Sequence, residues 1–148
     1  MGLQICYDLW FPETSRALTL QGAEVILHPS LTDTCDRDVE RAMVKATAAQ
    51  QQCYYIDVNA GGKQGCGLSL VAGPDGEILH DANIGEEFML VEVDFDRVRR
   101  CRTRGLKGLG QPVKSFRDDP KPNLQNRKDD KYLTKIGPLE VPKKEKNP

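Results

Sequence analysis

Three short apolar runs, and the lengths of chain between them, restrict this sequence to a small set of folds. Leu3–Cys6, Ala23–Leu27 and Cys53–Asn59 are rich in Ile, Val, Leu and Tyr and read as buried strands. The first gap carries Pro12, which suits the first turn of a helix because it needs no amide hydrogen there, with Glu13 beside it at the positive end of the helix dipole. Ala17, Leu18 and Leu20 continue this helix, and Gly22 closes it in a left-handed conformation. The second gap predicts a helix from Asp36 or Asp38, with Val39, Ala42, Met43, Ala46 and Ala49 spaced three and four apart as its apolar stripe. Strands alternating with crossover helices make a parallel sheet.

Downstream the pattern changes to hairpins. Gly61-Gly62 turns the chain, and Cys66–Ala72 alternates like a strand. Pro74-Asp75-Gly76 is a turn, since proline presets φ and glycine tolerates positive φ. Glu77–His80 returns antiparallel, and Phe88–Val93 reads as a further strand. Asp94 or Asp96 caps a short basic helix running to about Arg102. The expected fold class is α/β, with a mixed sheet whose parallel strands come first and antiparallel strands after.

Charge marks the boundary of this unit. Residues 1–101 hold 8 basic and 16 acidic side chains, whereas residues 102–148 hold 13 basic and 6 acidic ones. Six of the nine prolines lie in the second stretch. The organisation expected is a layered domain over residues 1–102 and an extended, irregular basic tail over 103–148, its last residues disordered. The tail offers only Phe116 and Tyr132 for base stacking and no recognisable module, which argues against a nucleic-acid partner. No run approaches the ~18 apolar residues of a membrane span, and the first residues form no signal peptide, so the expected setting is cytoplasmic with no membrane association.

Five cysteines, an odd number with no C-x-x-C, fit reduced thiols rather than a disulfide framework or a zinc knuckle. Cys53 and Cys66 open strand-like runs and read as small buried residues; Cys35 and Cys101 have no visible task. Cys6 is different. It sits at a strand end just before a helix, a setting in which the thiolate, the nucleophilic form of cysteine, is favoured. A buried structural thiol is the alternative. A thiol–imidazole pair with His28 or His80 is a third reading, although His28 before Pro29 suits a strand end bonded to backbone and His80 the end of a hairpin strand.

The surrounding residues narrow the choice. Ile-Cys-Tyr-Asp-x-Trp-Phe-Pro-Glu-x-x-Arg at 5–16 resembles the cysteine motif of the nitrilase, or carbon–nitrogen hydrolase, superfamily. Gln21–Ser30 resembles the family's next strand, Arg41-Ala42 leading to Tyr55–Asn59 its next helix and strand, Gly67–Val71 with Pro74–Leu79 its Gly-x-Ser hairpin, and Val91–Asp96 its closing strand. The resemblance covers residues 3 to about 100 and implies half of an α-β-β-α sandwich of two sheets. It implies cysteine attack on a nitrile, amide or carbamoyl carbon, with a glutamate as general base and a lysine plus the amide after the cysteine stabilising the oxyanion. Cys6 would be the nucleophile and the Tyr7 backbone N–H an oxyanion donor, with no metal and no organic cofactor. The family's glutamate and lysine lie upstream of its cysteine, and Glu13, Glu24, Lys45 and Lys63 do not match them. Glu13 and Arg16 read as a local ion pair. The chain therefore resembles the C-terminal half of such an enzyme, incomplete by itself, with an uncovered sheet face that favours a homo-oligomer or a missing N-terminal half as partner. The alternative is an inactive truncated homologue serving as a binding or assembly module. Relatives that take N-carbamoyl amino acids tend to carry arginines just after the cysteine. Leu9 and Trp10 stand there, which favours a neutral or cationic small-molecule amide, nitrile or carbamoyl amine, with Trp10 and Phe11 lining the pocket.

Overall fold

Parallel pairing of the two apolar runs at 25–30 and 54–59 builds the centre of the molecule. A computed structural model describes residues 1–118 and Lys135. Its strands are β1 (Gly2–Leu3), β2 (Val25–Ser30), β3 (Tyr54–Asn59), β4 (Leu70–Ala72) and β5 (Ile78–Asp81). Its helices are α1 (Pro12–Leu20), α2 (Asp36–Gln51), α3 (Phe95–Arg104) and α4 (Pro112–Asp118), with a 3-10 turn at Cys6–Trp10. The five strands form one sheet in the order β1-β2-β3-β4-β5. β1, β2 and β3 are parallel, with Leu3 opposite Leu27 and Leu27 opposite Ile56. β4 and β5 return antiparallel. The mixed α/β sheet expected from the sequence is the one observed.

β2 runs three residues further than the sequence suggests, through His28-Pro29-Ser30. The Gln4 amide donates to the Leu27 carbonyl at 2.9 Å, so the backbone groups of residues 27 and 29 face β1, and those of 28 and 30 face β3. β1 ends at Leu3, and the N–H that proline lacks is on the side where no neighbour needs it.

The two faces of the sheet are filled unequally. On one, Ile26, Tyr55, Leu70 and Ala72 pack with Leu9, Val44, Ala48 and Cys53, closed by Leu18 and Met43. On the other, among the described residues, Val25 and Tyr54 pack with Val98 of α3, with Leu27, Ile56, Leu79 and Val93 partly covered. Leu3 and Val58 on that second face are 59% and 47% exposed.

Several local expectations are corrected. The buried face of α2 is Arg37, Glu40, Val44, Thr47, Ala48 and Gln51, not the stripe through Val39, Ala42, Met43, Ala46 and Ala49; Val39 is exposed. Paired charges occupy that face, and hydropathy does not register them. The strand expected over Cys66–Ala72 is confined to Leu70–Ala72, because Gly67 and Leu68 adopt positive φ of 66° and 58°. Phe88–Val93 forms no strand. Its side chains alternate, with Phe88 and Leu90 exposed and Met89, Val91 and Val93 half-buried, but no described strand lies alongside to complete a ladder. Leu3–Cys6 leaves the sheet early, and Cys6 opens the 3-10 turn. Arg16 does not pair with Glu13; it donates to the Gln50 carbonyl at 3.4 Å and lies 5.2 Å from the ring centre of Phe116. Phe116 belongs to α4, a helix inside the stretch expected to be irregular. The expectation for the end of the tail falls outside the described residues.

The turn and cap assignments hold. Gly22 and Gly76 have φ of 97° and 77°, and the Asp94 side chain accepts the Asp96 amide at 2.9 Å at the start of α3. Among the described residues no helix is long and apolar enough to cross a membrane.

Ile26 is fully enclosed at the centre of the well-packed face. Ile26→Ala is expected to lower unfolding stability by about 2–5 kcal/mol, read from the midpoint of urea unfolding at unchanged m-value.

Candidate active site

Cys6 is placed by what surrounds its backbone. The Asp8 carboxylate accepts the Ile5 amide at 2.9 Å while the Asp8 amide donates to the Ile5 carbonyl at 3.1 Å, which closes the 3-10 turn. Cys6 itself has φ of +49°, a left-handed value uncommon for a residue with a Cβ, and is half-buried. Tyr7 is largely exposed and Leu9 points into the core. Trp10 is half-buried, its indole N–H 3.5 Å from Glu40 Oε1. The Phe11 ring meets Tyr7 edge-on at 5.3 Å, and the Trp10 ring centre is 6.1 Å from that of Tyr7. The four residues singled out in the sequence, Cys6, Tyr7, Trp10 and Phe11, thus lie on or directly after one turn, with the Trp10 and Phe11 rings grouped about Tyr7. The helix that follows Cys6 directly is the 3-10 turn; α1 starts only at Pro12.

Two buried polar groups anchor this turn, and hydropathy flags neither. Gln4, 1% exposed, accepts through Oε1 from Ser15 Oγ at 2.9 Å and Tyr55 Oη at 2.8 Å, and donates through Nε2 to Thr14. Burial pushes the Tyr55 phenol well above its usual range, so it stays a neutral donor. The second anchor is charged. His28 Nε2 lies 2.9 Å from the Cys6 carbonyl and Nδ1 lies 2.8 Å from Asp57 Oδ1. Arg37 donates to the other Asp57 oxygen, to Glu40 Oε2 at 3.2 Å and to the Leu68 carbonyl at 2.8 Å. Thr32 Oγ1 donates to Glu40 Oε1 at 3.1 Å. All four ionisable members are buried.

This arrangement bears on the thiol–imidazole reading. His28 meets Cys6 through the backbone carbonyl, and both ring nitrogens are engaged. His80 is bonded to Glu87 at 2.6 Å. Of the other cysteines, Cys53 and Cys101 are buried, Cys66 is half-buried rather than buried as expected, and Cys35 is exposed. Cys53 is fully buried and its thiol is pushed up to about 12 by burial. Cys101, without a task in the sequence, is buried against Gln52, Pro74 and Asp75, and burial raises it to about 11. Cys66 Sγ donates to the Thr32 carbonyl at 3.1 Å. Among the described residues no group of three or more His, Cys, Asp or Glu side chains is disposed to hold a metal ion.

Cys6 follows β1, and the three parallel strands β1, β2 and β3 end on one edge of the sheet, where open α/β sheets place their ligands. At the end of β3 a cavity of about 180 Å³ is bounded by Val58, Asn59, Ser69, Ala82, Glu86 and Met89 among others. The Asn59 amide shapes that end: Nδ2 donates to the carbonyls of Thr32 and Gly67 at 2.9 and 2.8 Å, and Oδ1 accepts the Thr32 amide at 2.8 Å.

Comparison with known proteins agrees with the resemblance carried by the residues around Cys6. Residues 1–103 match the carbon-nitrogen hydrolase family, and the chain belongs to it. It is 32% identical over 128 residues to a Pseudomonas protegens protein described as a hydrolase in the pqqF 5' region, covering 84% of this chain and 42% of that one. It is 36% identical over 107 residues to an (R)-stereoselective amidase from Pseudomonas sp, and 34% identical over 122 residues to the N-carbamoylputrescine amidase of Solanum tuberosum. Each of these two alignments covers 69% of this chain and 39% or 41% of the relative. Among solved structures, Saccharomyces cerevisiae Nit3, a member of branch 10 of the nitrilase superfamily, superposes with a TM-score of 0.64 at 27% identity, over 69% of this chain and 40% of that one. The carbon-nitrogen hydrolase from Helicobacter pylori G27 gives 0.60 at 25% identity, over 92% and 48%. The chain therefore spans about 40% of the length of the curated relatives it matches.

Removing one member of the ion cluster leaves the others buried without their partners. Asp57→Ala strands both His28 and Arg37, and is expected to lower stability by about 3–5 kcal/mol in denaturant unfolding.

Proposed function

We propose that this chain supplies the nucleophile half of a carbon–nitrogen hydrolase acting on a non-peptide C–N bond of a small amide, nitrile or carbamoyl amine. The observation that carries the reading is the placement of Cys6 on a left-handed turn at the carboxyl edge of the parallel strands, within a stretch belonging to the family. For an amide, the Cys6 sulfur attacks the carbonyl carbon and the thiol proton passes through a glutamate base to the leaving nitrogen. The C–N bond breaks and ammonia or an amine departs. Water, deprotonated by the same glutamate, then cleaves the thioester, and its proton restores the thiol. The Tyr7 backbone N–H is one donor to the developing oxyanion. Trp10 and Phe11 form part of the apolar wall beside the thiol.

The glutamate and the assisting lysine come from residues outside these 148, and this chain without them is inactive. The thinly covered second face of the sheet, where Leu3 and Val58 are exposed, supports association with a complementary half or another copy. Leu9 is core and Trp10 leans on Glu40, so no cation stands in the first turn to grip a carboxylate. A neutral or cationic substrate fits better than an anionic one. The Pseudomonas amidase and the potato carbamoyl-amine hydrolase are consistent with that class.

The test is ammonia release from simple amides, nitriles and carbamoyl amines, by this chain alone and with an added family upstream half. Activity is expected only in the combined preparation, falling a thousandfold or more in Cys6→Ala, as nucleophile removal does elsewhere. Activity that survives Cys6→Ala defeats the reading. No activity in either preparation favours an inactive binding or assembly module, a reading to which the 40% span also lends support.

A further inference from the structure

We infer that His28 is a positioning residue for the nucleophile: as the charged end of the buried Asp57–Arg37–Glu40 cluster, it holds the Cys6 carbonyl and so fixes the left-handed turn that presents the thiol. The functional meaning of this clamp rests on the hydrolase reading above; the clamp itself rests on geometry.

The proton count follows from the partners. A carbonyl oxygen only accepts, so the His28 Nε2 that lies 2.9 Å from Cys6 O carries hydrogen. Asp57 receives Arg37 on one oxygen and His28 Nδ1, at 2.8 Å, on the other. A carboxylate beside a guanidinium is ionised and only accepts, so Nδ1 carries hydrogen as well. With both ring nitrogens donating, His28 is an imidazolium. The charges then balance: His28 and Arg37 against Asp57 and Glu40, all four buried. A neutral imidazole has one N–H for two acceptors and would set a lone pair against either the carboxylate or the carbonyl.

The conformation gives the clamp its purpose. Cys6 has a side chain yet sits at φ of +49°, a region that persists in such residues only where the surroundings over-determine it. The Ile5–Asp8 bonds close the turn from one side, and His28 fixes the Cys6 carbonyl from beneath. Groups acting on His28 are Asp57 and the Tyr55 ring on β3, Glu40 on α2 and the Cys6 carbonyl on the turn, while Arg37 reaches it through Asp57. Burial alone would pull the His28 pKa down. The hydrogen bonds to Asp57 and to Cys6 O, with the charges of Asp57 and Glu40, outweigh it, and the net direction is up from 6.5. A raised pKa in the folded state means that the clamp is complete below pH 6.5 and is lost as pH rises through the raised value.

Two measurements on the full 148-residue chain test this. Ring ¹⁵N spectra of His28 are expected to show both nitrogens protonated at pH 7, with the Tyr7 amide shifting on the same midpoint when His28 finally deprotonates above pH 6.5. A ring that is neutral at pH 7, or a Tyr7 amide blind to its titration, overturns the proposal. Alkylation by iodoacetamide, resolved by peptide, is the second, with exposed Cys35 as internal standard. His28→Phe is expected to slow Cys6 about tenfold relative to Cys35, and His28→Gln, which keeps one N–H, to recover much of that loss. A Cys6 rate within twofold of the parent in His28→Phe overturns it. Neither measurement needs turnover. A chain that passes both but releases no ammonia with an added upstream half sinks the hydrolase reading and leaves the clamp. A chain that turns over through Cys6 with a neutral His28 loses the clamp alone.

Discussion

The Asp57 carboxylate, wholly withdrawn from water, is the group on which the arrangement of the molecule turns. One oxygen accepts from His28 of β2 and the other from Arg37 of α2, while its own backbone belongs to β3. Two strands and the long crossover helix therefore meet at one carboxyl group, and His28 passes the connection on to Cys6. Taking four charges out of water costs several kcal/mol each before their mutual attraction is counted, and burying hydrocarbon in the same space could be as stabilising. What the cluster supplies that hydrocarbon would not is direction. A guanidinium bridging two carboxylates and a two-sided imidazole accept only one rotation of α2 against the sheet and only one height for the Cys6 turn.

That rotation explains the division of the sheet into a complete face and an incomplete one. With Arg37 and Glu40 turned inward, Val44 and Ala48 fall over Ile26 and Tyr55, and Leu9 closes the layer from the turn. Leu9 is thereby spent on packing, while its neighbour Trp10 reaches toward Glu40. Among the described residues the opposite face is covered by α3, fixed by the Asp94 cap and by Gln52, whose amide donates to the Cys101 carbonyl at 2.8 Å. Its strands near Cys6 are left with exposed Leu3 and Val58. A chain that spans about 40% of its curated relatives and shows an apolar face of this kind has a physical reason to associate.

The strands β2 and β3, helix α1, the Pro74-Asp75-Gly76 turn and the Asp94 cap were legible because each depends on a local rule: β-branched runs, a proline at a helix start, a glycine at positive φ, a short side chain over free amides. Cys6 stood out for the same reason. What could not be read was long-range and polar. Arg37, Glu40, His28, Gln4 and Gln52 look like surface residues until their partners are known, and those partners lie up to 51 residues away in sequence, as in the bond from Tyr55 to Gln4. Hydropathy puts the wrong face of α2 inward on that account. The stretch from Phe88 to Val93 failed differently. Period-two alternation reports which side of an extended chain is covered, and that much is observed; it does not report whether another strand is within hydrogen-bonding reach.

The left-handed backbone at Cys6 joins these threads. A glycine would adopt φ of +49° without strain, but a glycine has no sulfur. For Cys6 to serve as the proposed nucleophile, the surroundings must hold it at this position without consuming the thiol. Bonds to the backbone satisfy both demands: Asp8 engages the Ile5 amide and His28 engages the Cys6 carbonyl, each beside the reactive atom rather than on it. The buried charge cluster, costly in free energy and invisible to hydropathy, is in this sense the mechanical support of the turn, and the sulfur is left for chemistry that the support does not itself perform.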